Sequence, residues 1–322
     1  MSASPGGPAW LTEDLERVER LLVQATSASR HSLVSEPSMH LLRAGGKRLR
    51  PALVVLTSHA GRPGSRATDL AAAAIELVHL ATLYHDDVID GTATRRGVPT
   101  AHSQWGTEIA VLAGDYLFAL ACGLGARAGG EVPGILADAI AEVCEGQIVE
   151  TAAVGDPRRT VDDYLDTIRL KTAALFKAAC ELGSVTAGVD GVYRDALVLY
   201  GENLGLAFQV VDDLLDILGD PRVTGKVPGT DLREGVFTVP VLLASAKERA
   251  LTRDLSSGRR DLDSVLPVLM ETGALHETFD IAASFGDKAL RNLASLPDGE
   301  WKTVLSSTVT SVLSQVERPT AA

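Results

Sequence analysis

Cysteine is scarce in this chain, and so is any excess of basic charge. The three cysteines among 322 residues are Cys122, Cys144 and Cys180. They stand in apolar helical surroundings without metal-like spacing, so they are expected to be buried free thiols in a reducing cytosol. The net charge is −12 and no basic stripe is present, which excludes the usual electrostatic footprint of a nucleic-acid partner. Alternating β-branched runs are almost absent, and no strand–helix–strand rhythm appears, which argues against a sheet. No uncharged apolar run reaches the roughly 18 residues needed to span a bilayer. Residues 1–8 lack a basic stretch followed by an apolar one, so no signal peptide is read. A soluble, cytoplasmic protein is expected, with peripheral membrane contact left open.

What is present is helix. Hydrophobic residues make up 46 % of the chain, enough for a substantial core. Leu11, Leu15, Val18, Leu22 and Ala25 recur at helical spacing. A second helix is expected to end at Gly45-Gly46. A third opens at Pro51 and closes at Gly61, and a fourth runs from about Thr68 to Asp90. Helical pattern resumes at Ile109 and is expected to break in the glycine-rich stretch Gly123–Gly130. Segments at about 133–151, 161–187, 192–218, 238–248, 262–272, 276–294 and 300–316 follow. Loops are expected at 91–100 and 219–235, and residues 1–9 are expected to be loose. The chain is therefore read as all-α, a large helical bundle forming a single domain over residues 1–322.

Two stretches repeat one pattern of aspartates. Asp86-Asp87-Val88-Ile89-Asp90 and Asp212-Asp213-Leu214-Leu215-Asp216 both read DDxxD. On a helix, residues four apart share a face, so Asp86 lies over Asp90 and Asp212 over Asp216. Like charges so placed repel by roughly 0.2–0.5 kcal/mol per pair. Both copies are embedded among leucines, valines and isoleucines, which argues against a merely solvated acidic face. A cation between the carboxylates accounts for the pattern. Mg²⁺ suits it, since that ion takes one or two carboxylates, several waters and substrate phosphates. Two such faces opposed across a cavity would hold a metal-bound diphosphate.

A third stretch favours anions. Gly45-Gly46-Lys47-Arg48-Leu49-Arg50-Pro51 sets three cations between two glycines and a helix start. Glycine lets backbone approach a ligand closely, and a helix N-terminus adds amide donors. Lysine offers a point charge, arginine a planar fork for phosphate.

These motifs do not stand alone. GGKRLRP, then HLATLYHDDVIDGTATRRGVPTAH, LKTAALF, GLAFQVVDDLLDILGD and GKVPGTDL occur in that order. The set resembles the trans-polyprenyl diphosphate synthase family, over about residues 40–245. The resemblance implies the all-α isoprenoid synthase bundle around a central cavity, Mg²⁺ dependence and a homodimer. It implies extension of an allylic diphosphate with isopentenyl diphosphate, and it leaves room for membrane contact on product release. By the same resemblance, Asp86, Asp87, Asp90, Asp212, Asp213 and Asp216 look like the Mg²⁺ ligands on the allylic diphosphate. Arg95 resembles the arginine gripping that group. Lys47, Arg50, His79 and Arg96 resemble the isopentenyl diphosphate site. Lys171, Thr172, Gln209 and Lys226 resemble residues of the allylic side, where Gln209 and the Thr172 hydroxyl would present oxygen to a nascent cation. His85 and His102 also match and are assigned local hydrogen bonds. One position departs: many members carry lysine where this chain has Val236, so either one allylic-side cation is missing or Lys226 and Arg233 serve in its place.

Three other functions compete. A class I terpene cyclase shares DDxxD but needs aromatic walls, and aromatics are only 4 % here. It would also have no use for the GGKRLRP pocket. A non-catalytic subunit of a heteromeric synthase would be expected to lose aspartates, and all six are present. A short-chain synthase, giving about C15–C20, is set aside on residues Ala81 and Thr82. In the family, bulky aromatics just before the first cluster give short products. Here small residues stand there, with Ala71–Ala74 beyond and Leu117 or Phe118 as a possible floor. A turn of helix rises about 5.4 Å, comparable to an isoprene unit. A product of about C30 or longer is expected, and Ala81→Phe is expected to shorten it.

Overall fold

The structure, a computed structural model, describes residues 8–220 and 227–319. Helices follow one another almost without strand: α1 (Ala9–Thr26), α2 (Ser32–Arg43), α3 (Leu49–Ser58), α4 (Arg66–Ile89), α5 (Ala101–Trp105), α6 (Thr107–Ala128) and α7 (Val132–Ala153). Then come α8 (Val161–Ile168), a π-helical turn (Arg169–Ala173), α9 (Ala174–Thr186) and α10 (Gly191–Leu218). After the undescribed residues stand α11 (Thr230–Glu234), α12 (Val239–Lys247), α13 (Arg249–Ser256), α14 (Leu262–Glu271), α15 (Ala274–Leu293) and α16 (Glu300–Leu313). The sheet found among the described residues is a two-stranded ribbon, β1 (Thr94–Arg95) antiparallel to β2 (Val98–Pro99).

The described chain falls into two compact units. The first takes residues up to Ile140, Leu175–Val198 and Ser295–Leu305. The second takes Ala141–Ala174, Leu199–Ala294 and the residues from Ser306 onward. Each is drawn from three separate stretches, which is why no linker in the sequence marks them.

In the first unit α4 is the central helix, packed by α1, α3, α5 and α6. Ser65 starts it, its Oγ accepting from the Thr68 N–H. Every residue from Leu70 to Val78 is buried. The four alanines Ala71–Ala74 keep that helix thin, so its neighbours come close on all sides. In the second unit α12 packs against α8, α13, α14 and α15, and Val239, Leu242 and Ala282 are among its buried residues.

Helix α6 corrects one expectation. It does not stop at Gly123 but runs to Ala128. A Cβ at Gly125 would stand 2.6 Å from Leu136 Cδ1. The glycine there makes room for α7, and that packing outweighs its cost of about 1 kcal/mol in a helix interior. The cysteines give a second correction. Cys180 is buried, but Cys122 and Cys144 are exposed. They stand on faces of α6 and α7 turned to solvent, which an apolar sequence context does not reveal.

Both α4 and α6 are long and apolar enough to cross a membrane by length and composition. Glu76 and Asp115 interrupt them, so a search for uncharged runs passes them by. The most apolar window of α4 is 72 % buried, as a core helix should be, whereas that of α6 is 39 % buried.

Candidate active site

In the first unit, cations gather near His79 on α4. Arg48 precedes α3 in a left-handed backbone conformation, φ 49°. Its guanidinium donates to Glu19 (Nε–Oε2 3.0 Å), to Glu76 (Nη1–Oε1 3.0 Å) and to the Leu42 carbonyl (3.2 Å). Such a conformation costs a non-glycine residue, and these bonds over-determine it. Arg48 is therefore an anchor. Arg96 is the other described non-glycine residue with positive φ, 54°, at the turn between β1 and β2. Its Nη1 donates to the carbonyls of Leu41 (3.0 Å) and Gly45, which ties the ribbon turn to the glycine loop.

Arg50 is placed differently. Its buried Nε has no hydrogen-bond partner. The guanidinium lies 4.9 Å from the centre of the Phe176 ring. Burial lowers it to about 10, with Glu76 opposing and Arg96 assisting. His79 is held well below its ordinary value, by burial first and then by Arg50, Arg96, Arg95 and Arg48. It is thus a neutral imidazole beside several cations. Burial raises the Glu76 carboxyl, against Arg48, Arg50 and Arg96. This pocket has more positive charge than its own acid can offset, which is the electrostatic signature of an anion site. Lys47 is exposed at its edge.

The first aspartate cluster lies farther along the same helix. His79, Thr82, Leu83, Asp86 and Asp90 share one face of α4, and none of them is fully buried. Asp87 points the other way. It is 1 % exposed, and its Oδ1 accepts from Arg95 Nε at 2.5 Å. Its Oδ2 is buried with no partner. Ala81, the position expected beside the growing product, is also turned inward and is 0 % exposed. Leu117 is buried, and Phe118 keeps some exposure with its ring 5.6 Å from that of His85. His85 makes local contacts, as expected, to the Val111 carbonyl (3.2 Å) and Asp115 (3.4 Å). His102 likewise pairs with Thr100 Oγ1 at 3.1 Å.

The second cluster belongs to the second unit. Asp213 is 0 % exposed. Its Oδ1 accepts from Tyr164 Oη (2.9 Å) and from Gln209 Nε2 (3.1 Å), while its Oδ2 is buried without a partner. Thr172 Oγ1 donates to Gln209 Oε1 at 2.9 Å. Asp216 Oδ1 accepts from the Thr230 N–H (3.1 Å) and its Oδ2 from the Asp231 N–H (3.3 Å), so it anchors the start of α11. Lys171, in the π-helical turn, pairs with Glu150. A Cβ at Gly146 would stand 2.5 Å from the Lys171 backbone nitrogen. The glycine lets α7 pass against that turn, a common setting for functional residues. Tyr164 and Glu150 had no role in the sequence reading. The capping box of Thr160 and Asp163 just before Tyr164 was the one signal available, and it marks a helix start and no partner.

The carboxylates can be tested against a metal. Burial, then Asp231 and Asp212, push Asp213 well above the carboxylate range despite the bonds from Gln209 and Tyr164. Burial also raises Asp87 despite Arg95. In each cluster the middle carboxylate has one oxygen satisfied and one orphaned, which native structures seldom tolerate without an ion or water. Hard oxygen donors of this kind fit a divalent cation. No group of three or more His, Cys, Asp or Glu residues among the described residues is arranged to hold a metal alone. A substrate's oxygens would have to complete the shell.

The sequence profile described as Polyprenyl synthetase matches residues 31–266. The chain belongs to the polyprenyl synthetase family. It is 38 % identical over 307 residues to the nonaprenyl diphosphate synthase of Mycobacterium tuberculosis, covering 93 % of this chain and 91 % of that one. It is 37 % identical to heptaprenyl diphosphate synthase component 2 of Geobacillus stearothermophilus, covering 92 % and 94 %. Among solved structures, the polyprenyl synthase of Caulobacter crescentus, complexed with calcium and isoprenyl diphosphate, superposes with a TM-score of 0.89. The two share 38 % identity, over 96 % of each chain. The family's members are prenyltransferases that depend on a divalent metal, its fold is the all-α isoprenoid synthase fold, and this protein is an enzyme of that class.

Two further site expectations concern the segment after the second cluster. Lys226 lies outside the described residues. Arg233 is committed to its own loop, donating to the carbonyls of Pro228 (2.8 Å) and Val227 (3.2 Å). It is a clamp on the segment after the second cluster, and its bonds to backbone explain why it does not reach out as a spare phosphate ligand.

Proposed function

We propose that this enzyme condenses isopentenyl diphosphate with an allylic diphosphate to make an all-trans polyprenyl diphosphate of about C30 or longer. One observation carries the reading: helix α4 bears two unlike groupings, with cations gathered near His79 and paired carboxylates at Asp86 and Asp90. Near His79 the charge is supplied by side-chain cations, and at Asp86 and Asp90 it would be supplied by a metal. These positions are two helical turns apart, roughly 10 Å. The first suits isopentenyl diphosphate, which keeps its diphosphate. The second suits the allylic substrate, which loses it.

We assign Asp86 and Asp90 to Mg²⁺ in the first cluster and, separately, Asp212 in the second. Asp213 adds its unpartnered Oδ2 to the second cluster's set, and Asp87 and Asp216, held by Arg95 and by the Thr230 and Asp231 amides, support the ligands from behind. When bound, Mg²⁺ supplies positive charge to the departing diphosphate. Arg95 and Lys171 add to that charge, so the allylic C–O bond breaks with its electron pair on the leaving oxygen. Arg50, Arg96, Lys47 and the neutral His79 hold isopentenyl diphosphate so that its double bond attacks the allylic carbon. The proton lost from the condensed intermediate goes to a diphosphate oxygen. Thr172 offers its hydroxyl oxygen to the cation. Gln209 spends its own oxygen on Thr172 and so fixes that hydroxyl's direction.

The test separates the substrates. Lys47→Ala is expected to raise the KM for isopentenyl diphosphate by about 10-fold or more, as loss of a charged contact does, with the allylic KM little changed. Arg95→Ala is expected to act on the allylic substrate. If steady-state kinetics show both variants shifting one substrate alone, the assignment of the two sites fails.

The long product is supported by the relatives, named for nonaprenyl and heptaprenyl products. A homodimer is also proposed, supported by the exposed face of α6. Val111, Leu112, Ala119, Cys122 and Ala126 are all exposed there, Leu112 at 61 %. An apolar stripe of this kind marks an interaction site. Light scattering is expected to give twice the chain mass, and Leu112→Asp to shift it toward the monomer. A wild-type monomer, or a partner required for activity as the name of component 2 suggests for that relative, would contradict a homodimer.

A further inference from the structure

We propose that Tyr164 is a positioning residue for the second aspartate cluster: with Gln209 it holds one oxygen of Asp213, so that the other is presented to the bound cation. The proposal rests on the reading of that cluster as a metal site.

Both donors converge on one atom. Tyr164 Oη lies 2.9 Å from Asp213 Oδ1 and Gln209 Nε2 lies 3.1 Å from the same oxygen. Oδ2 is buried and receives nothing. Buried carboxylate oxygens seldom go without a partner unless an ion or water takes that place. Two donors on a single oxygen also fix the plane of the carboxylate: a partial rotation would stretch both bonds, and a half-turn only exchanges two equivalent oxygens. The direction of the free oxygen is thereby set before any ligand arrives.

Tyr164 is itself held. It is 2 % exposed. The Arg159 guanidinium lies 5.4 Å from the centre of its ring, a cation–π distance. Arg159 in turn donates to the Asp163 carbonyl at 2.9 Å and to Thr167 Oγ1. The reciprocal bonds of Thr160 and Asp163 fix the start of α8. On the other side, Thr172 Oγ1 occupies Gln209 Oε1, so the amide must turn its NH₂ toward Asp213. Four side chains therefore converge on the orientation of one carboxylate. Supporting groups of this kind commonly change metal affinity by about 10- to 100-fold.

Tyr164→Phe removes one oxygen and keeps the ring beneath Arg159. The Mg²⁺ concentration for half-maximal activity is expected to rise roughly 10-fold, with the KM for isopentenyl diphosphate within about twofold of wild type. The melting temperature without ligand is expected to stay close to wild type. The rise in melting temperature caused by Mg²⁺ with inorganic diphosphate is expected to shrink. Arg159→Met, which frees the ring without touching Asp213, is expected to act in the same direction and less strongly. This second variant stands in if Tyr164→Phe does not fold. A folded Tyr164→Phe with the wild-type Mg²⁺ requirement and the wild-type ligand-induced shift would overturn the proposal. Asp212→Ala separates the two levels. If it loses the Mg²⁺ response while Tyr164→Phe keeps it, the positioning role alone falls. If Asp212→Ala also responds like wild type, the metal reading of the cluster falls, and the proposal with it.

Discussion

Replacing Asp86 or Asp212 with alanine is expected to lower turnover by about 10²–10³-fold or more, with the helical fold intact. Asp86 lies on the partly open face of α4, so its carboxylate is not a core packing element. The loss should fall on kcat and on kcat/KM together, because the charge on the leaving diphosphate develops only in the transition state. Chelation should abolish activity, and added Mg²⁺ should restore it. Circular dichroism alongside steady-state rates would check both halves. A folded Asp86→Ala enzyme with near-wild-type turnover, or wild-type activity in excess chelator, would sink the metal assignment.

Thr82→Phe is expected to shorten the product to about C15–C20 without abolishing turnover. The position follows from the structure. Ala81 is fully buried, so a phenylalanine there would overpack the core at a cost of about 1–3 kcal/mol. Thr82 is on the same face as Asp86, one turn earlier, and is only half-buried. Its hydroxyl donates to the His79 carbonyl at 2.8 Å, a local bond whose loss is cheap. A ring at this point would stand roughly 6 Å along the helix from the metal ligands, across the path of a growing tail. Chromatography of the dephosphorylated products would read the effect. Unchanged product length in a folded Thr82→Phe enzyme would show that the tail does not run along α4.

Much of the fold could be read in advance because α1, α14 and α15 follow apolar periodicity, while α4, α7, α10, α12 and α16 are apolar segments between polar or glycine-containing stretches. Where reading failed, packing overrode local signals. Gly123 and Gly125 look like a break, yet α6 continues through them because Leu136 occupies the space beside Gly125. The π-helical turn at Arg169–Ala173 has no sequence signature, since its extra residue is accommodated by α7 crossing at Gly146. Helix α13 was missed because its eight residues, Arg249–Ser256, are mostly polar and bury only Leu251 and Leu255.

The six aspartates were legible, and the division of labour among them was not. Spacing places Asp86 over Asp90 and Asp212 over Asp216, but it does not say what holds Asp87, Asp213 or Asp216. Only the partners distinguish them: Arg95 on Asp87, Tyr164 and Gln209 on Asp213, and the amides of α11 on Asp216. Arg48 and Arg50 show the same limit. Two residues apart in one motif, one is an anchor bound to two glutamates and the other keeps a buried, unpartnered Nε. Tertiary contacts assign such roles, and a linear motif does not contain them.

Two diphosphate sites and a long trans product together make up the proposed activity. Its most direct test is incubation of the purified protein with labelled isopentenyl diphosphate, Mg²⁺ and each allylic primer in turn, followed by chain-length analysis. Label is predicted to enter a Mg²⁺-dependent series ending at about C30 or longer. Products stopping at about C15–C20 would contradict the long-chain assignment, and no incorporation with any primer would contradict the enzyme's proposed reaction.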